Sequence, residues 1–483
     1  MKKQFTKLAL SAALVLASLF TISCGEHSWE TIEEWLKGSS SSEEGGYSSN
    51  SSYPQVNDGG GSLLRQAVNV GYNIRNAADY AGNWYLRYHA VIPPVSTFVN
   101  EDGTITVCVL DDNAKIAHIY EFSMTLELQG TFNFPYEFDM FGAFTKDKEG
   151  NYYFFYGKEA ADVRQGEDAE NEPENMAMVK YDRSGNKIKT YKRKPRSYRG
   201  VRVPFVAGNC VLEISGSSIA VYFSRLMFRG ADNISHQASY GFILNKDTFE
   251  QVPSSSPPYI SHSVNQFILP INDGFVFADH GDALPRAFNF EKCSYEEFYN
   301  HEGYYCTREQ SWKSFRFAGN DGANVTNAQM GGLAKTSSGY IFAGTYGESP
   351  DKRNLLILTL DDYEQISNPL YLTTYAASDN RSVGHPKIVG IGSGQYLLLW
   401  ELYELPSTGG SKYLTTKMQI INEAGNPLSP AKDLQGLRLN IGDFLHYNSR
   451  NGRVYWAINN MSELVVYGLD ARYAYDSDDF TLP

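Results

Sequence analysis

Residues 339–362 read Gly-Tyr-Ile-Phe-Ala-Gly-Thr-Tyr-Gly-Glu-Ser-Pro-Asp-Lys-Arg-Asn-Leu-Leu-Ile-Leu-Thr-Leu-Asp-Asp. A turn glycine, Gly339, opens a short apolar strand from Tyr340 to Ala343. A polar loop follows at Glu348 to Asp351, then a second apolar strand from Leu355 to Leu358 and an acidic turn at Asp361-Asp362. The same order returns after Gly394, with Tyr396 to Trp400, a loop at Gly409-Gly410, Met418 to Ile421 and a turn from Asn422 to Gly425. It returns again after Gly150, with Tyr152 to Tyr156, a long acidic loop, Met178 to Tyr181 and a turn from Asp182 to Gly185. Strand, turn, strand, loop, strand, turn, strand is the pattern of a four-stranded antiparallel sheet.

The turn glycines of this unit are Gly103, Gly150, Gly216, Gly274, Gly339, Gly394 and Gly452, spaced by 47, 66, 58, 65, 55 and 58 residues. Repeats of this length, each a small all-β unit unable to bury its own faces, predict blades arrayed around an axis. The expected fold is therefore all-β, a single β-propeller of seven four-stranded antiparallel blades, with six or eight also within reach of the pattern. The last unit ends after Glu463 to Tyr467, short of a fourth strand, and Val68 to Ile74 is expected to complete it from the other terminus. No WD dipeptide, kelch di-glycine or Asp-box accompanies the repeat. Stacked sandwiches are the alternative, and they do not call for seven comparable units.

Three segments divide the chain. Residues 1–23 carry Lys2, Lys3 and Lys7 ahead of an apolar run from Leu8 to Ile22, a signal peptide too short to span a bilayer as a helix. Residues 24–66 hold Ser39 to Ser42, Ser48 to Ser52 and Gly59 to Gly61, a composition that cannot offset ordering entropy and predicts a flexible tether. Residues 67–483 are the propeller.

Thr21-Ile22-Ser23-Cys24 resembles the lipobox of bacterial lipoproteins, departing from its commonest form at Thr21. The resemblance implies that the Cys24 thiol receives a diacylglycerol group and becomes the new N-terminus, with palmitate-type acylation. The product would be held at the cell envelope of a bacterium, at the outer membrane or cell surface. Ordinary cleavage and free secretion is the alternative. Propeller lipoproteins that scaffold outer-membrane assembly are similar in anchor and architecture only.

A formal charge of −13 argues against general nucleic-acid binding. Of five cysteines, Cys293 and Cys306 bracket a polar, aromatic insertion, and a disulfide there would close a loop of about 14 residues, contributing ~3 kcal/mol. Cys108 and Cys210 sit in strand patterns and read as buried free thiols. No Cys/His spacing suggests zinc.

The segments entering the innermost strands, with the loops between second and third strands, should converge on one axial face. They supply Arg202, His262, Gln266, Asn327 and His385, a ring that suits a polar ligand or, equally, channel water and neighbouring blades. The densest local group is Asp279-His280-Gly281-Asp282-Ala283-Leu284-Pro285-Arg286. Asp279, His280, Asp282 and Arg286 have the chemistry of acid–base work or of a divalent cation held near Asp279 and Asp282; the competing reading is turn structure. Eight cations between Lys187 and Arg202 suit a polyanion, or an outer strand face neutralised by the acidic loop at Glu159 to Glu174. No nucleophile elbow, phosphate loop or dinucleotide fingerprint is present.

The leading expectation is a lipid-anchored envelope propeller that binds a glycan, peptide or protein on its axial face. The alternative is an extracellular hydrolase, lyase or transferase with His262, Asp279, His280, Asp282, Arg286 and His385 at the axis.

Overall fold

The computed structural model describes residues 62–74 and 92–475, apart from 197–199, 207, 253–258, 273, 299–300, 307–312, 324, 350–351, 362–364 and 406–410. The signal segment, Cys24 and nearly all of the stretch read as a tether lie outside the described residues. No helix among the described residues is long and apolar enough to cross a membrane.

Seven antiparallel sheets form a ring, a seven-bladed β-propeller. In blade 1, Val95–Val99, Ile105–Asp111, Ile116–Phe122 and Leu128–Pro135 follow one another from the inside outward. Blade 2 repeats this with Met140–Lys146, Tyr152–Gly157, Met176–Tyr181 and Lys187–Arg193. Blade 3 has Cys210–Ser215, Ser218–Leu226 and Gln237–Asn245, with a single bridge from Leu244 to Gln251 in the outer place. Blade 4 has Ser263–Ile271, Gly274–Gly281 and Ala287–Phe298; both His301–Cys306 and Lys313–Arg316 then pair with the third strand. Blade 5 runs from Ala328–Lys335 through Gly339–Ser349 and Lys352–Asp361 to Leu370–Tyr371. Blade 6 runs from Arg381–Gly392 through Gln395–Glu404 and Lys412–Asn422 to Lys432–Leu434. The first strand of each blade packs against the first strand of the next, all the way round.

Blade 7 closes the ring. His446–Asn448, Arg453–Asn460 and Glu463–Asp470 come from the C-terminal end, and Leu63–Asn69 adds the outer strand, pairing Leu63 with Leu469 and Asn69 with Glu463. The closing strand thus lies five residues earlier than Val68 to Ile74 and begins inside the stretch read as tether to residue 66. Its own alternation explains this. Leu63 is buried between blades 6 and 7, with Ala67 packed against the same cluster, while Leu64 and Val68 lean toward blade 1. The polar pair Arg65-Gln66 suits an outermost strand and hides that pattern from composition alone.

The seven turn glycines all lie at the junction of the first and second strands of their blades, Gly274 and Gly339 opening the second strand, and all have positive φ. At Gly339 a Cβ would stand 2.0 Å from the Leu360 carbonyl oxygen, so the backbone there admits no side chain. The core is distributed rather than central: seven apolar clusters fill the seven interfaces between neighbouring blades. Successive residues of a strand face opposite ways. In Tyr152–Gly157, Tyr152, Phe154 and Tyr156 therefore pack on blade 1, while Tyr153 and Phe155 pack toward blade 3. That is why the second strands carry consecutive apolar residues.

Cys108 and Cys210 are free and buried in the clusters between blades 1 and 2 and between blades 2 and 3. Burial pushes both thiols above their ordinary range. Cys293 is fully buried and disulfide-bonded, and its register partner across the hairpin is Cys306.

Candidate functional site

The innermost strands of blades 4, 5 and 6 start on one face of the ring, and each start is irregular. His262 and Asn327 stand directly before the first residues of their strands and His385 is the fifth residue of its own, with φ of 52°, 59° and 49°. The His262 carbonyl accepts from Asp282 N–H at 3.1 Å, and the Asn327 carbonyl accepts from Gly347 N–H at 3.1 Å. Register shifts follow between Ser263 and Asn265 and between Met330 and Gly332; His385 lies within the shift between Gly384 and Lys387. Left-handed backbone at a non-glycine residue costs of order 1 kcal/mol or more and persists where the surroundings enforce it. Along the axial face they form a row, with His262 and Asn327 at corresponding places just before the residues paired with Gly281 and Tyr346, and His385 just after Gly384, the partner of Glu401.

Two of the three are histidines backed by buried carboxylates. His262 Nδ1 lies 3.1 Å from Asp282 Oδ1, with Asp282 fully buried and the His262 side chain 17% exposed. Neither Asp282 oxygen receives a hydrogen bond among the described residues, and the His262 imidazole lies beside it. In blade 6, His385 Nδ1 lies 2.8 Å from Glu401 Oε2, and the His385 side chain is 8% exposed. Glu401 is fully buried and also accepts from Arg438 Nε at 2.9 Å, from Leu439 N–H at 2.8 Å and from the Tyr403 hydroxyl. Burial by itself would raise the Glu401 carboxyl; the Arg438 guanidinium and the hydrogen bonds from Arg438 and His385 outweigh it and hold the group well below the usual carboxylate range. Arg438 lies over the Tyr413 ring at 4.4 Å, which fixes the plane of its guanidinium.

The dense group of blade 4 is not one constellation. Asp279 and His280 are consecutive in a strand, so their side chains leave on opposite faces. Asp279 points to blade 3, accepting from Tyr222 Oη at 2.8 Å and Ser263 Oγ at 2.5 Å. His280 points to blade 5, with Nε2 2.6 Å from Thr326 Oγ1 and its ring set edgewise on Phe288 and Phe317. Arg286 is almost fully buried and donates to the Ala318 and Val325 carbonyls, bracing the loop that enters blade 5. Gln266 is buried and takes Asn209 Oδ1 on its backbone N–H at 2.7 Å. Arg202 is tied to Glu159 and Asp162 of the acidic loop at 3.0 and 3.4 Å. The structure therefore brings together His262 with Asp282, and Gln266 with Ser263 and Asp279, but separates Asp279 from His280 and directs Arg286 into backbone bracing. Among the described residues no group of three His, Cys, Asp or Glu side chains gathers as a metal site would require.

Several other axial groups act as staples between blades. Gln329 Oε1 accepts from His385 N–H at 3.0 Å, Lys387 Nζ donates to the Ile441 and Asp443 carbonyls, and Asp443 Oδ2 accepts from Thr97 N–H at 2.8 Å. Asn440 Nδ2 donates to the Val95 carbonyl, joining blade 7 to blade 1. The basic run of blade 2 is likewise engaged: Lys187 and Lys192 share Glu137, each at 2.8 Å, and Arg193 is buried over Phe242 and Tyr240. Sequence reasoning missed Glu401 and Tyr403. A lone carboxylate directly after Tyr396 to Trp400, inside an otherwise apolar strand, was the available signal.

No family model matches the chain, and a search of curated proteins finds no match. Among solved structures, a protein of unknown function from Dyadobacter fermentans is 11% identical, with 75% of this chain and 100% of that one aligned at a TM-score of 0.37. The parainfluenza virus 5 hemagglutinin-neuraminidase ectodomain is 10% identical over 86% and 97% of the two chains, at a TM-score of 0.37. The Penicillium chrysogenum α-L-arabinanase, solved with arabinobiose, is 9% identical over 80% and 81%, at a TM-score of 0.31. Likeness at this level bears on neither activity nor ligand.

Proposed function

We propose that this propeller is a binding module of the bacterial envelope, anchored by a lipid on Cys24, which holds a glycan, peptide or protein on the axial face of blades 4 to 6. The observation that carries the reading is the row His262, Asn327, His385. Each is a polar side chain kept in left-handed backbone at the mouth of the ring, although the fold itself would favour glycine there. The other axial polar groups have structural partners, which supplies a rigid frame behind the row. Preorganised polar groups on a rigid scaffold are what selective binding of a polar ligand requires.

The test is a screen of the full chain against glycans and envelope extract, comparing wild type with Asn327→Ala and His385→Ala. Captured material that both variants lose supports the reading. Equal capture by all three removes the axial row from consideration. The anchor is tested separately by feeding cells a fatty-acid analogue: wild type is expected to be labelled and Cys24→Ala unlabelled, and equal labelling contradicts lipidation.

A second reading, an extracellular hydrolase, lyase or transferase, draws on one observation. An imidazole held by a buried carboxylate, as His385 is by Glu401, is general acid–base chemistry. Release of soluble product from envelope glycans, lost in His385→Ala, would favour it over binding alone.

A further inference from the structure

The donor and acceptor polarity of the axial row carries information about its ligand, an inference that rests on the reading of the row as the binding site. In a neutral imidazole one nitrogen bears the proton and the other a lone pair. A bare lone pair at His262 Nδ1, 3.1 Å from Asp282 Oδ1, or at His385 Nδ1, 2.8 Å from Glu401 Oε2, would confront a carboxylate oxygen. A carboxylate behind an imidazole ordinarily holds the proton on Nδ1, through a hydrogen bond at His385 and by proximity alone at His262, whose contact with Asp282 is not a hydrogen bond. The Tyr403 hydroxyl spends its proton on Glu401 and so meets His385 Nδ1, 3.1 Å away, as an acceptor, which favours the same tautomer. Nε2 is left as the acceptor on each ring. Among the described residues neither Nε2 has a hydrogen-bond partner, and neither is sealed from solvent.

We propose that His262 and His385 accept hydrogen bonds from hydroxyl groups of a neutral saccharide, with Asn327 of the intervening blade both giving and taking a further pair. Asn327 Nδ2 spends one of its two protons on the Glu348 carbonyl at 3.2 Å, which leaves the second proton and the amide oxygen for a ligand. Hydroxyl groups suit this row because each can donate to a ring nitrogen and accept from the amide. A carboxylate or sulfate group set against the rings offers them only lone pairs and approaches the Asp282 carboxylate, which no hydrogen bond relieves. An ammonium satisfies the rings but cannot accept from Asn327.

The experiment exposes the full chain to arrayed neutral, uronate- or sulfate-bearing, and amine-bearing oligosaccharides. Neutral members are expected to bind. His385→Ala should weaken them about tenfold, the worth of one hydrogen bond, whereas His385→Gln, whose amide oxygen can occupy the place of Nε2, should stay within about threefold of wild type. Preference for charged oligosaccharides overturns the inference, as does a Gln variant no better than Ala while both melt as wild type does. A ¹⁵N-histidine spectrum of the wild type reads the tautomers without any substitution: protonated Nδ1 and bare Nε2 are expected at both residues, and protonated Nε2 overturns the proposal. Capture of an envelope protein that depends on Asn327, with no glycan bound, would refute the saccharide and leave the axial-row reading standing.

Discussion

Burial decides what each polar side chain of the axis can do. Asp279 shows this most plainly, since the sequence places it among acid–base candidates and the fold places it in a dry interface between blades 3 and 4. Burial pushes its carboxyl up to about 7, against the pull of hydrogen bonds from Ser263, Tyr222 and Gln266. The sign of its pH effect follows. Between its ordinary value of 3.8 and about 7 the folded chain keeps a proton that the unfolded chain has released, so this group's contribution falls as pH rises through that window. Asp279→Asn removes the titration. Denaturant midpoints measured across the window should show the variant gaining on wild type as pH rises, and a constant difference would contradict a neutral, buried Asp279. Asp282, three residues further on, differs because the group beside it is the part-exposed His262. Truncating His262 leaves that carboxylate buried and unpaired, at a cost of about 3–5 kcal/mol, which is why binding is better tested at Asn327 and His385.

At the scale of the element, the hairpin was legible and the strand's two faces were not. Each turn glycine marks a junction between first and second strands, because positive φ at that turn favours glycine. The run of Asp279, His280 and Asp282 misled because spacing in sequence becomes proximity only on a helix or in a loop; in a strand, neighbours part to opposite faces. The closing strand was displaced for a similar reason, its polar Arg65-Gln66 resembling tether while Leu63 is buried at 1% exposure. Leu63→Ala is expected to cost about 2–5 kcal/mol and to be felt by the whole ring, since that strand joins the two ends of the chain. A single cooperative unfolding transition at lower temperature is the predicted result. An unchanged transition would mean that closure does not depend on this strand.

For the whole molecule, seven similar blades give a frame in which the inner strands of three consecutive blades, at His262, Asn327 and His385, depart from the ordinary backbone on one side of the ring. The sequence indicated all three positions but could not distinguish them from Arg202, Gln266 and Arg286, whose partners come from loops and blades distant in the chain. The central claim is that this side of the ring receives a ligand. It is tested most directly by diethyl pyrocarbonate mapping of the nine histidines, with and without envelope extract. The reagent acylates unprotonated, accessible ring nitrogens. His262 and His385 are expected to react in the free protein and to be protected by the extract, while His236, 31% exposed and paired with Asp232, keeps its reactivity. Equal modification of His262 and His385 with and without extract would contradict the account.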